Sequence, residues 1–128
     1  KVISLTATAM ALVMGLLSVA VLNLNNMRDR ESDATVGKRT LAVILGAMGA
    51  KYYHYFLILS ATGILIIFFI QQTLSYNWLI LVGLIPLFIH LGTVIKNKDP
   101  KTLDPELKKV ALTTFGLAVL IFISFSLS

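Results

Sequence analysis

Residues 23–46 read NLNNMRDRESDATVGKRTLAVILG, a polar stretch in a chain that is otherwise almost wholly apolar. The stretch holds three of the six acidic residues and four of the eleven basic ones. The apolar runs on either side are long enough to cross a bilayer, so these charges stand at the mouth of a spanning helix. Ionisable groups that close to hydrocarbon are costly to keep there, which makes this the first place to look for chemistry.

Composition sets the frame. Of 128 residues 57% are hydrophobic and only 13% charged, with a mean hydropathy of +0.87. A soluble domain has about 25% charged residues, so the chain is read as an integral membrane protein. The formal charge of +5 is concentrated: ten of the eleven Lys and Arg residues, and all six acids, lie in residues 26–51 and 96–109. A lipid-soluble remainder excludes the basic stripe of a nucleic-acid binder. The absence of cysteine excludes a disulfide framework and a thiolate metal site. The chain opens at Lys1 without a charged leader, and its first apolar run ends in Asn-Leu-Asn-Asn, unlike a cleaved signal. It is expected to be the C-terminal part of a longer chain.

The expected fold is all-α, a polytopic membrane bundle with four transmembrane helices. Spans are predicted at about 2–24, 52–70, 78–95 and 108–127. The first carries no charge and is roughly 33 Å long at ~1.5 Å per residue. Its helix is expected to run on through Asp33, with Gly37 as the C-terminal cap because positive φ is needed there. A short amphipathic piece follows over 39–48, capped by Thr40. The second span opens on Tyr52, Tyr53 and Tyr55, an interfacial aromatic belt, with His54 read as a lone, satisfied interfacial residue. Residues 71–77 form an uncharged loop with Trp78 at its edge. The third span contains Pro86, and His90 within it is assigned to polar packing. Pro100 is expected to end that helix. Asp104-Pro105-Glu106 reads as a helix start with Asp104 at the N-cap. Each charged loop, 25–51 and 96–107 with its flanks, carries five basic residues and the intervening loop none. The positive-inside rule therefore places both charged loops in the cytoplasm.

Asn25, Asp29 and Asp33 recur every fourth residue and so share one helix face. An amide and two carboxylates form an oxygen-only donor set. Such a set suits a hard divalent cation, Mg²⁺ above all, which completes its shell with water and substrate phosphate. Gly37-Lys38-Arg39-Thr40 then adds two cations, read as free of nearby acids, that can bind phosphate; Arg28 is a weaker candidate. Together the groups describe a clamp for a metal diphosphate. The competing interpretation is a solvated run of charges with ion pairs among Arg28, Arg30, Glu31 and Asp33.

The pattern Asn25-Asn26-x-Arg28-Asp29-x-x-x-Asp33-x-x-x-Gly37-Lys38-Arg39-Thr40-Leu41-Ala42-Val43-x-x-Gly46 resembles the second aspartate-rich motif of the UbiA superfamily of intramembrane prenyltransferases. Within it the Asn-Asn-x-Arg-Asp opening and the Gly-Lys-Arg-Thr-Leu close resemble the branch that acts on 1,4-dihydroxy-2-naphthoate. Residues 104–109 are similar more weakly. The resemblance implies a nine-helix bundle of which this chain forms the last four helices, with a first aspartate motif outside it. It also implies Asp29 and Asp33 as catalytic metal ligands, assisted by Asn25, with Lys38 and Arg39 on the diphosphate. The implied reaction is Mg²⁺-dependent transfer from a polyprenyl diphosphate to 1,4-dihydroxy-2-naphthoate, with release of diphosphate and carbon dioxide, in menaquinone biosynthesis in the inner membrane. A 4-hydroxybenzoate-type acceptor, a transporter or a non-catalytic scaffold are the alternatives. A transporter would favour acids inside the spans, and here every acid lies in a loop.

Overall fold

The computed structural model describes residues 4–71 and 77–127, all helix, cap and turn. The first residues of span one and the loop expected over 71–77 fall largely outside the described residues.

Helix α1, Leu5–Thr35, starts at Ser4, whose hydroxyl accepts the Ala7 amide at 3.1 Å. Its 31 residues span about 46 Å, more than a hydrocarbon core of ~30 Å, so the last turns project beyond the apolar run. Gly37, at φ +75°, terminates it. The Lys38 amide bonds the Asp33 carbonyl at 2.9 Å and the Gly37 amide bonds Ala34 at 3.2 Å, a Schellman closure.

Helix α2, Leu41–Gln71, is two helices joined at Gly46, where φ is 71° and ψ 179°. Thr40 caps the first piece by accepting the Val43 amide at 3.3 Å. The amphipathic piece expected over 39–48 is therefore shorter: it breaks at Gly46, and Met48 belongs to the helix beyond. Only glycine adopts that backbone freely, so the bend is written by one residue.

Helix α3, Asn77–Lys96, carries Pro86 without interruption. It ends at Lys96, one residue past the expected span and four before Pro100, which opens a 3₁₀ turn, Pro100–Leu103, whose cap is the Asp99 carboxylate. Helix α4, Asp104–Ser126, follows directly. Asp104 is not the N-cap: its backbone is already helical, at φ −57° and ψ −44°, and its carboxylate is used elsewhere.

The helices pack in a ring, α1 on α2, α2 on α3, α3 on α4 and α4 back on α1. Two apolar clusters fill it. One occupies the middle of the bundle around Val13, Leu17, Ile58, Leu65, Leu87 and Leu117. The other seals the charged end with Leu24, Met27, Ala50, Val94, Leu103 and Val110. Gly83 marks the closest approach of α3 to α4: a Cβ there would meet Leu117 Cδ2 at 2.6 Å. The Lys51 ammonium donates to the Asn97 carbonyl, which ties the two charged loops together at one end of the bundle. Helices α1, α2 and the segment Pro100–Ser126 are each long and apolar enough to cross a membrane, and α3 is shorter.

Candidate functional site

The projecting end of α1 carries the motif. One guanidinium organises it. Arg28 donates from Nε to Asp29 Oδ1 at 2.8 Å and from Nη2 to Asp29 Oδ2 at 2.9 Å. The same Nη2 reaches Asn25 Oδ1 at 2.9 Å, and Nη1 reaches Asp104 Oδ1 at 2.6 Å. Asn25 and Asp29 lie one turn apart on a shared face, so a single planar cation can hold both. The Arg28 hydrogen bond holds the Asp29 carboxyl below the usual carboxylate range. Asp29 therefore stays ionised, as a cation ligand must.

Asp33 lies one turn further on and is the more enclosed carboxylate, its side chain 11% exposed against 35% for Asp29. Its Oδ1 accepts from Lys38 Nζ at 3.1 Å. Lys38 is thus not a cation free of nearby acids, as its place in the sequence suggested. The Gly37 closure folds the chain back and sets the ammonium beside the last turn of α1. Asp33 Oδ2 is buried and has no hydrogen-bond partner among the described residues. Arg39 is exposed just past the turn. The expected ion pairs also differ: Arg28 and Arg30 pair with their immediate neighbours Asp29 and Glu31, the latter at 3.8 Å, rather than one turn away.

The structure thus joins Asn25 and Asp29 through Arg28 and anchors Asp33 separately through Lys38. No group of three or more His, Cys, Asp or Glu gathers for a metal among the described residues. The set is an amide and two carboxylates with one orphaned buried oxygen. Hard oxygen donors of this kind are chemically suited to a divalent cation, and here Arg28 occupies Asn25 Oδ1 and both Asp29 oxygens.

A second polar assembly went unseen in the sequence. His54, His90 and Glu106, from α2, α3 and α4, are all buried. His54 Nε2 lies 2.8 Å from His90 Nε2, and His90 Nδ1 lies 2.8 Å from Glu106 Oε2. Glu106 Oε1 accepts from the Lys109 ammonium. An ionised Glu106 can only accept, so His90 donates from Nδ1 and its Nε2 accepts the proton of His54. His54 is therefore not lone: Tyr52 faces outward and Tyr53 and Tyr55 are half-buried against the apolar clusters, while the His54 ring is fully buried in the bundle. The only clue in the sequence is that all three residues lie within about two turns of the charged end. The Arg28–Asp104 pair was equally hidden, because 75 residues separate its partners.

The family model described as the UbiA prenyltransferase family matches residues 1–115. The chain is 39% identical over 114 residues to the 1,4-dihydroxy-2-naphthoate octaprenyltransferase of Haemophilus influenzae, covering 88% of this chain and 36% of that protein. It is also 39% identical over 115 residues to the enzyme of the same name from Escherichia coli K12, covering 86% of this chain and 37% of that protein. The chain thus spans little more than a third of the length of the curated relatives it matches. No solved structure matches it.

Proposed function

The chain belongs to the UbiA prenyltransferase family, and on that premise we propose that the protein containing it transfers a polyprenyl group from a polyprenyl diphosphate to 1,4-dihydroxy-2-naphthoate. The reaction breaks the allylic C–O bond to diphosphate and forms a C–C bond to the aromatic ring. The ring carboxylate leaves as carbon dioxide, which supplies the electron pair and balances the step. The product belongs to menaquinone biosynthesis in the inner membrane, with both charged loops on the cytoplasmic side.

The observation that carries this reading is the gathering of Asn25 and Asp29 on one guanidinium at the projecting end of an otherwise apolar helix, with an Asp33 oxygen one turn on that has no partner among the described residues. Asn25, Asp29 and Asp33 would hold Mg²⁺, which when bound neutralises diphosphate charge and eases its departure. Lys38 and Arg39 bind the leaving diphosphate, Lys38 from a position already beside Asp33. Arg28 occupies the Asn25 and Asp29 oxygens as a placeholder that the cation must displace, and Asp104 draws the guanidinium toward α4. Placement suits the donor: its tail prefers hydrocarbon and its head needs the polar end of the bundle. A cap formed by the charged loops would exclude water from the allylic cation.

The test is product analysis by mass spectrometry on the full-length protein with Mg²⁺, a polyprenyl diphosphate and candidate acceptors. Prenylated, decarboxylated naphthoate is the expected product. Asp29→Ala and Asp33→Ala are each expected to abolish its formation without loss of membrane insertion. Full activity in either variant removes the assignment.

A further inference from the structure

A cavity of about 760 Å³ opens between the end of α1, the turns of α2 just after Gly46, the end of α3 and the 3₁₀ turn. Four cations line it: Arg30, Lys51, Lys96 and Lys98, and no carboxylate does. Neither Asp29 nor Asp33 lines it.

These cations are under-used. Lys96 and Lys98 have no carboxylate within 4 Å among the described residues, and Lys51 has only the Asn97 carbonyl. Arg30 meets Glu31 only at 3.8 Å. Its Nε is buried with no hydrogen-bond partner among the described residues, and so is Asn97 Oδ1. A buried guanidinium N–H without an acceptor carries a desolvation cost that a ligand oxygen would remove. The rest of the lining is apolar. Met48, Tyr52 and Ile95 contribute to it while more than half exposed on the bundle surface. The cavity therefore combines a cationic end with an apolar flank that opens outward, at the level of the tyrosine belt where lipid headgroups lie.

We infer that this cavity is a binding site for an anionic phospholipid of the surrounding bilayer. Its phosphate sits among Arg30, Lys51 and Lys96, and its acyl chains leave along Met48, Tyr52 and Ile95. Two observations and one general rule select this ligand. The excess of positive charge calls for an anionic head and rejects a zwitterionic one. The outward apolar flank calls for a molecule that is itself part of the membrane. Basic pockets between spanning helices at this depth recognise anionic headgroups by the same chemistry. The site needs nothing from the metal ligands.

The test is native mass spectrometry of the full-length protein in detergent, titrated with dioleoyl phosphatidylglycerol or dioleoyl phosphatidylcholine. One phosphatidylglycerol is expected to bind at least tenfold tighter than phosphatidylcholine. Arg30→Gln and Lys96→Gln should each reduce that preference about fivefold. Lys108→Gln, exposed and outside the cavity, should leave it intact. Should Arg30→Gln fail to fold, Lys96→Gln with Lys98→Gln replaces it, because both lysines are exposed. Equal affinity for the two lipids overturns the inference, as does a preference that survives the substitutions. Displacement of bound phosphatidylglycerol by soluble geranyl diphosphate also overturns it, assigning the cavity to the prenyl donor. Failure of the prenyl-transfer assay alone would leave the lipid result unchanged.

Discussion

Arg28 shows how much one side chain can decide. Its five N–H donors form a planar fork, and here the fork serves two helices. Asp104 is 72% exposed, so its pair with Arg28 is worth only ~0–1 kcal/mol of stability. Asp104→Asn is accordingly expected to leave the thermal midpoint in detergent almost unchanged. Its effect should fall on Mg²⁺, because an Arg28 without Asp104 rests wholly on Asn25 and Asp29. Calorimetric titration of the full-length protein is expected to show weaker Mg²⁺ binding in Asp104→Asn and tighter binding in Arg28→Ala. Changes in the same direction would argue that Arg28 does not compete for the ligand oxygens. Lys38 bears on the diphosphate instead. Lys38→Ala should raise the KM for polyprenyl diphosphate several-fold more than that for the acceptor, and an equal rise in both would indicate altered folding.

Among the elements, α1 is the one whose extent could be read directly. Its uncharged run, the lack of Gly or Pro from Asn25 to Val36 and the excess length over a bilayer all come from local sequence, and the Schellman closure follows from one glycine. The bend in α2 was harder to place. The sequence separates a short piece over 39–48 from the span over 52–70 but does not mark Gly46, which sits among Leu, Ala, Val and Ile where glycine inside a helix is often tolerated. What identifies it is the backbone itself, at φ 71° and ψ 179°, a region all but closed to residues with a Cβ. Gly46→Ala is expected to destabilise the protein by ~1–3 kcal/mol, seen as a lower denaturation midpoint, although a Cβ there meets no neighbour within 4 Å. An unchanged midpoint would mean that the bend relaxes without strain.

The molecule as a whole is held at its charged end by polar contacts between helices. Asn23 Nδ2 donates to the Ala50 carbonyl at 3.0 Å, Lys51 reaches Asn97, and the His54–His90–Glu106–Lys109 chain ties α2, α3 and α4. Buried polar chains are demanding, because each partner lost leaves another group unsatisfied in a low-dielectric interior. Glu106→Ala strands the buried His90 Nδ1, while the exposed Lys109 turns to solvent, and should cost ~1–3 kcal/mol, whereas Glu106→Gln keeps an acceptor for His90 and should cost less. Thermal unfolding of the two variants checks the order; equal costs would show that the carboxylate charge, not the hydrogen bond to His90, is what matters. Sequence by itself determined the membrane class, the helical architecture, the shared end of the two charged loops and the register of Asn25, Asp29 and Asp33. These depend on hydropathy, length and a repeat of about 3.6 residues, all of which act along the chain. Only the tertiary structure decided that Arg28 bridges to Asp104, that Lys38 turns back on Asp33, and that His54 finds His90. Those pairings depend on how helices rotate against one another and on where a glycine reverses the chain, and neither is carried by the spacing of residues within a single helix.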